Sequence, residues 1–252
     1  MQIHKKYRGI KMKKLILILL LISSLFATNE SFPHSKKELR KIYRDHQTTI
    51  YCDCKYNYKN KKNMIDKKSC GYIPRNKYTK KGKLNIRANR IEWEHAIPAQ
   101  NFGRQFSCWR KGDAKCVTSK GKHYKGRKCC TKVNKQYRIM QADMHNLFPS
   151  IGELNADRKN YRYDFELPTQ GQYGQCEFNV LFKQRRARVR EEIRGVIARD
   201  YLYFHKRYGM KLSKQELKKY QAWNKEYPPS DWEIERNKRI AKVQGNLNEF
   251  IK

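Results

Sequence analysis

Apolar side chains recur at helical spacing through the last third of the chain, and polar residues mark where each run starts and stops. Arg185 to Tyr208 is long, basic and periodic, and Gly209 closes it, because glycine takes the left-handed conformation that ends a helix. Ser213-Lys-Gln-Glu216 has the spacing of a capping box and predicts a helix through Trp223, which Pro228-Pro229 breaks. Ser230-Asp-Trp-Glu233 caps another, ending at Gly245. Near the other end, Ser35-Lys-Lys-Glu38 precedes Leu39, Ile42 and Tyr43 and predicts a first helix ending near His46.

Elsewhere the runs are shorter. Arg90 to His95 alternates and reads as the end of a strand, with Pro98 stopping regular pairing. Thr48 to Cys54 reads as extended. Ser150-Ile-Gly-Glu153 predicts a helix that carries Asn155 and Arg158, three residues apart and so on one face. Residues 55–90, broken by Gly71, Pro74 and Gly82, read as loops with short ordered pieces. Residues 100–138, rich in glycine and lysine, read as a loop region tied by four cysteines. The pattern predicts an α+β fold, mainly helical, with a short strand pair and little other strand. No repeat or linker divides it, so residues 28–252 are expected to form one domain.

The first 27 residues change the picture. Lys11, Lys13 and Lys14 precede an apolar run from Leu15 to Ile22, and Leu25-Phe26-Ala27 has the form of a cleavage site. This is a signal peptide, too short to span a membrane comfortably, and Met12 opens a more ordinary version of it. After its removal 52 basic side chains remain against 23 acidic ones. So basic a protein attracts polyanions. Nucleic acid is the expected partner, ahead of acidic lipid, and no membrane span is expected in the mature chain. All eight cysteines, Cys52, Cys54, Cys70, Cys108, Cys116, Cys129, Cys130 and Cys176, lie beyond the signal. In an exported protein an even count predicts up to four disulfides. Cys108 with Cys116, and Cys52 or Cys54 with Cys70, are short-loop pairings the spacing allows. Zinc is disfavoured because paired CxxC knuckles are absent.

Candidate chemistry lies at Trp93-Glu94-His95, at Asp143-Met-His-Asn-Leu147 and at Asn155. Phosphodiester hydrolysis needs a base for water, positive charge for the phosphoryl oxygens and help for the leaving oxygen. Neutral His95 can take the proton. Glu94 and an asparagine carbonyl oxygen are hard ligands suited to Mg²⁺. Adjacent strand residues point to opposite faces, so Glu94 and His95 can share a site only if the strand ends or bulges there. Each signal alone has a plainer reading. A His-Glu pair is more often structural, asparagines more often cap or turn, and Asp143 and His145 would suit a surface.

Arg90-Ile-Glu-Trp-Glu-His-Ala-Ile-Pro-Ala99, Met140-Gln-Ala-Asp-Met-His-Asn-Leu147, Gly152-Glu-Leu-Asn-Ala-Asp-Arg158 and Arg239-Ile-Ala-Lys-Val-Gln-Gly-Asn246 carry a resemblance that spans nearly the whole mature chain. They resemble the bacterial endonuclease I family of periplasmic and secreted DNases, which has a ββα-metal site. The resemblance implies that His95 is the general base and that Glu94 and Asn155 hold one Mg²⁺. Asn146 joins His95 in the catalytic centre with the lesser role of organising it. It also implies cleavage of DNA, and of RNA by some members, with little sequence preference and 5′-phosphate ends. A monomer is expected. Members carry an arginine between the positions of Cys108 and Cys116 that contacts the scissile phosphate. Here that stretch lacks it, and Arg104, Arg110, Lys115 and Arg158 are the candidates for phosphate contact. The usual cysteine after Trp232-Glu233 is Ile234 here, and a C-terminal cysteine is missing with it. Cys129 and Cys130, inside an insertion at 117–135, look like a different staple. The basic stretches 111–135 and 185–190 are expected to meet the nucleic-acid backbone. A non-catalytic exported DNA-binding protein is the alternative, and a secreted ribonuclease a third reading.

Overall fold

The computed structural model describes residues 29–58, 63–164 and 171–252, so the expected signal peptide lies outside the described residues. The first helix, α1 (Phe32–Ile42), begins before the box at Ser35. Ser31 is its N-cap and accepts from the amide of His34. Pro33 falls in the first turn, where its missing N–H breaks no helical bond. Ser35 is buried inside the helix, and its hydroxyl donates to the carbonyl of Ala142. Leu39 and Ile42 pack with Met144, Leu147 and Ile240 in a small second core.

Residues 48–55 form a turn closed by a single bridge from Thr48 to Lys55, where an extended run was expected. Isolated bridges and two short 3₁₀ turns follow, in keeping with the loop reading of 55–90. Then β1 (Ile91–His95) appears where the alternation predicts it.

The stretch 100–138 is more ordered than expected. It contains α2 (Ala99–Gly103), α3 (Ser107–Arg110) and α4 (Arg127–Val133), and α5 (Lys135–Ala142) continues from it. Cys108–Cys130 and Cys116–Cys129 staple α3 and its following loop to α4. The short-loop pairing of Cys108 with Cys116 is therefore wrong. Adjacent cysteines on α4 each reach a different partner. Cys54–Cys70 takes one of the two pairings expected there, and Cys52 joins Cys176 across 124 residues. No cysteine is left for zinc.

β2 (Leu147–Ile151) pairs antiparallel with β1, setting His95 opposite Leu147 and Glu94 opposite Phe148. It runs straight into α6 (Gly152–Arg158). Ser150 belongs to β2 and does not cap that helix. A Cβ on Gly152 would lie 2.8 Å from the Arg87 carbonyl and 3.0 Å from the Glu92 carboxylate, so this tight strand-to-helix junction needs glycine. Three further strands, β3 (Arg162–Tyr163), β4 (Asn179–Leu181) and β5 (Arg186–Arg188), form a small sheet ordered β3-β5-β4.

That sheet shortens the long C-terminal helix, because Arg186 to Arg188 pair in β5. Helix α7 spans Glu191–Tyr208, and Gly209 ends it at φ +62°. α8 (Lys214–Glu226) has the expected capping box at Ser213 and Glu216, and α9 (Asp231–Gln244) starts at Ser230 and stops at Gly245. The fold is α+β, as the sequence predicts. Among the described residues no helix is long and apolar enough to cross a membrane.

Candidate active site

β1, β2 and α6 form an antiparallel strand pair and helix that hold the predicted residues around one cleft of about 590 Å³. Glu94, His95 and Asn155 all line it, together with Glu92, Trp109 and Arg127. β1 ends at His95, which answers the problem of two neighbours serving one site. Asn146 enforces that ending. Its side-chain oxygen accepts from the Ile97 amide at 2.6 Å, and its side-chain nitrogen donates to the Ile97 carbonyl at 3.1 Å. Fully buried, Asn146 does not face the cleft; it clamps the backbone leaving the strand.

The His95 ring packs against Phe32 and Phe102. Its Nε2 lies 2.9 Å from the carbonyl of Gln141. A carbonyl can only accept, so Nε2 carries the hydrogen and Nδ1 is the basic nitrogen. Burial and the charge of Arg127 depress the imidazole pKa to about 3, so it is neutral at physiological pH.

Glu94 is buried and held by a network. Tyr51 donates to its Oε1 at 2.9 Å and Arg158 Nε at 2.8 Å. Both bonds fall on Oε1, which leaves Oε2 as the candidate ligand atom. Burial raises the carboxyl pKa and Arg158 opposes the shift. Asn155 presents its carbonyl oxygen in the same way, since its nitrogen is turned to Glu92 at 3.3 Å. Arg87 in turn holds Glu92, donating from Nε at 2.8 Å. Among the described residues no group of three or more His, Cys, Asp or Glu could hold a metal. The donors on offer are one carboxylate and one amide oxygen. That set fits a hard cation that keeps most of its water, and not zinc.

The expected phosphate contacts fall elsewhere. Arg158 is fully buried, and besides Glu94 it donates to the carbonyls of His95 and Ala96. It cannot meet a phosphate; it positions the two residues beside it. Arg104 lines a neighbouring groove, and neither Arg110 nor Lys115 lines the cleft. Asp143 and His145 are also buried rather than superficial. Asp143 accepts from the hydroxyls of Tyr203 and Tyr208, and His145 Nε2 contacts the Asn246 carbonyl.

Arg127 lines the cleft with three other cations, Lys36, Arg87 and Lys159, and residue spacing did not single it out. It lies within the basic stretch 111–135, two residues before the vicinal cysteines. Pairing of Cys130 with Cys108 turns the start of α4 toward the cleft, and the guanidinium reaches within 5.6 Å of the Phe32 ring. The legible signal was an arginine two residues before a cysteine pair. Its use could not be seen without the disulfide connectivity.

A family model for Endonuclease I matches residues 31–252. The chain belongs to the endonuclease I family. This member is 46% identical over 223 residues to an extracellular deoxyribonuclease of Aeromonas hydrophila, covering 88% of this chain and 89% of that protein. It is 42% identical to a periplasmic deoxyribonuclease of the same organism, covering 96% and 94%. An endonuclease-1 of Buchnera aphidicola is 39% identical, covering 89% and 81%. The ββα arrangement expected of an endonuclease I chain is the one that β1, β2 and α6 make.

Proposed function

We propose that this endonuclease I member is an exported, Mg²⁺-dependent deoxyribonuclease of low sequence preference. The observation that carries the reading is the convergence of His95, Glu94, Asn155 and Arg127 on one cleft in a chain of net charge +35. Relatives named as extracellular and periplasmic deoxyribonucleases support both the substrate and the export. Four disulfides suit an oxidising compartment.

Glu94 and Asn155 would hold the cation, which when bound neutralises charge on the phosphoryl and leaving oxygens. Arg127 binds a non-bridging phosphate oxygen through its planar fork. His95 Nδ1 removes a proton from the attacking water. The water oxygen bonds to phosphorus, the bond to the 3′ oxygen breaks, and that oxygen takes its proton from solvent. The product keeps a 5′-phosphate. Burial is the larger cause of the low His95 pKa and Arg127 the next, so a phosphate beside Arg127 relieves only the second part of that depression. Arg158 and Asn146 do no chemistry; they hold the end of β1 in place.

The test is a nicking assay on oxidised mature protein. Supercoiled plasmid should be lost with Mg²⁺ and survive in EDTA; survival with Mg²⁺ would leave the non-catalytic DNA-binding protein as the reading. RNA digested beside DNA measures the second substrate. Asn155→Ala should raise the Mg²⁺ requirement by roughly tenfold or more, with partial recovery at high Mg²⁺. Asn155 is a cleaner probe than Glu94, whose loss would strand the buried Arg158. An unchanged Mg²⁺ titration would remove Asn155 from the ligand set. Arg127→Ala should lower kcat by about 10²-fold, the scale for losing one charge-stabilising donor. Lysine at that position should restore only part, because it lacks the fork. Wild-type kcat in Arg127→Ala would show that the phosphate is held by another group.

A further inference from the structure

The cleft does not end at Asn160. That side chain also lines a second groove of about 550 Å³, whose walls carry Arg104, Arg162, Arg185, Arg186 and Lys211. Asn160 donates a hydrogen bond to Gln100, which lines the first cleft. Five cations in one groove repel one another unless carboxylates or a polyanion match them. Among the described residues two carboxylates are at hand, and both are engaged. Asp164 pairs with Arg186 at 3.0 Å, and Glu216 closes the capping box with Ser213. Arg162, Arg185 and Lys211 remain exposed. Arg185 is steered along the rim by the Tyr161 ring, 5.8 Å away, and by the Asn160 side-chain oxygen at 3.4 Å.

The rest of the lining favours one ligand chemistry. Asn101 and Gln184 supply amides that can donate to phosphate oxygens. Among the described residues the one aromatic in the lining, Tyr201, is buried and stacked on Tyr220 at 4.2 Å. The described lining therefore offers no open ring for stacking an unpaired base, which single-strand platforms require. Arg190, in the same basic run of sequence, lines a different cavity beneath Tyr227 and Trp232.

We propose that this groove is a second phosphate subsite, which carries the duplex DNA backbone flanking the scissile bond. The proposal rests on the nuclease reading of the adjoining cleft, but its test does not depend on cleavage. A triple variant, Arg162→Gln with Arg185→Gln and Lys211→Gln, removes three exposed cations of the groove. A control, Lys225→Gln with Lys238→Gln and Lys242→Gln, removes equal charge from exposed helical positions outside the groove. Binding to a 30-base-pair duplex is measured in EDTA across a salt series, with thermal melting to confirm folding.

The groove variant should bind on the order of tenfold more weakly near physiological salt. Its salt slope should fall by about 0.9 for each phosphate that the groove no longer neutralises, and the control should keep the wild-type slope. With Mg²⁺, KM for long duplex should rise, and hydrolysis of oligonucleotides too short to leave the cleft should suffer much less. A wild-type slope in the groove variant, or an equal loss of affinity in the control, would overturn the proposal. Failure of the nuclease reading would show separately, as wild-type protein that binds duplex and never cuts it.

Discussion

Replacing His95 with alanine should lower cleavage of duplex DNA by about 10²- to 10⁴-fold, the range for removing a positioned base, and leave DNA binding in EDTA nearly unchanged. Nε2 is committed to the Gln141 carbonyl, so Nδ1 is the one ring atom able to take a proton, and alanine has no substitute for it. The ring contributes little to docking, because it is buried and flanked by Phe32 and Phe102. Measuring kcat and duplex affinity on the same preparation separates the roles. Parallel collapse of affinity would make His95 a contact or structural residue. Near wild-type kcat would mean that another group deprotonates the water.

Reduction should unfold the protein, and loss of Cys52–Cys176 should be the most damaging single change. That bridge spans 124 residues, and closing so long a loop stabilises by about 5 kcal/mol in the chain-entropy model. The figure is comparable with the whole stability of many domains, roughly 5–15 kcal/mol. Cys52→Ala with Cys176→Ala should therefore lower Tm by about 10–20 °C, more than removal of Cys54–Cys70, which closes only 16 residues. Melting curves of the two double variants check the order. Thiol titration of exported, denatured protein should find no free cysteine, and finding most of the eight reactive would refute the bridge set.

Much of the local architecture was legible because its determinants lie within a few residues of one another. Ser213 with Glu216, Ser230, Gly209 and Gly245 bound the C-terminal helices through bonds to their own first and last turns. β1 followed from alternation. The helix bearing Asn155 forms as predicted, but the capping box read at Ser150 does not, because Ser150 is paired in β2. The Ser35 box failed for the same local reason: Ser31 and Pro33 offer an earlier start, and the Ala142 carbonyl, 107 residues away, claims the Ser35 hydroxyl. Nothing near Ser35 in the chain announces that partner.

By itself the sequence determined the basic charge, the cysteine count, the starts of the last two helices and which residue types could perform hydrolysis. Only the tertiary structure decided how they are used. Two arginines with the same chemistry took opposite parts, Arg158 buried against Glu94 and Arg127 at the cleft, because packing of α6 on β1 hides one and the Cys108–Cys130 bridge presents the other. Likewise Arg185 lines the groove beside the site, and Arg190 lies in a separate cavity, since β5 and the turn into α7 come between them. The physical reason is common to all these cases. Caps and periodicity act through hydrogen bonds a few residues long, whereas desolvation, charge pairing and disulfide choice depend on which distant side chain arrives within bonding distance.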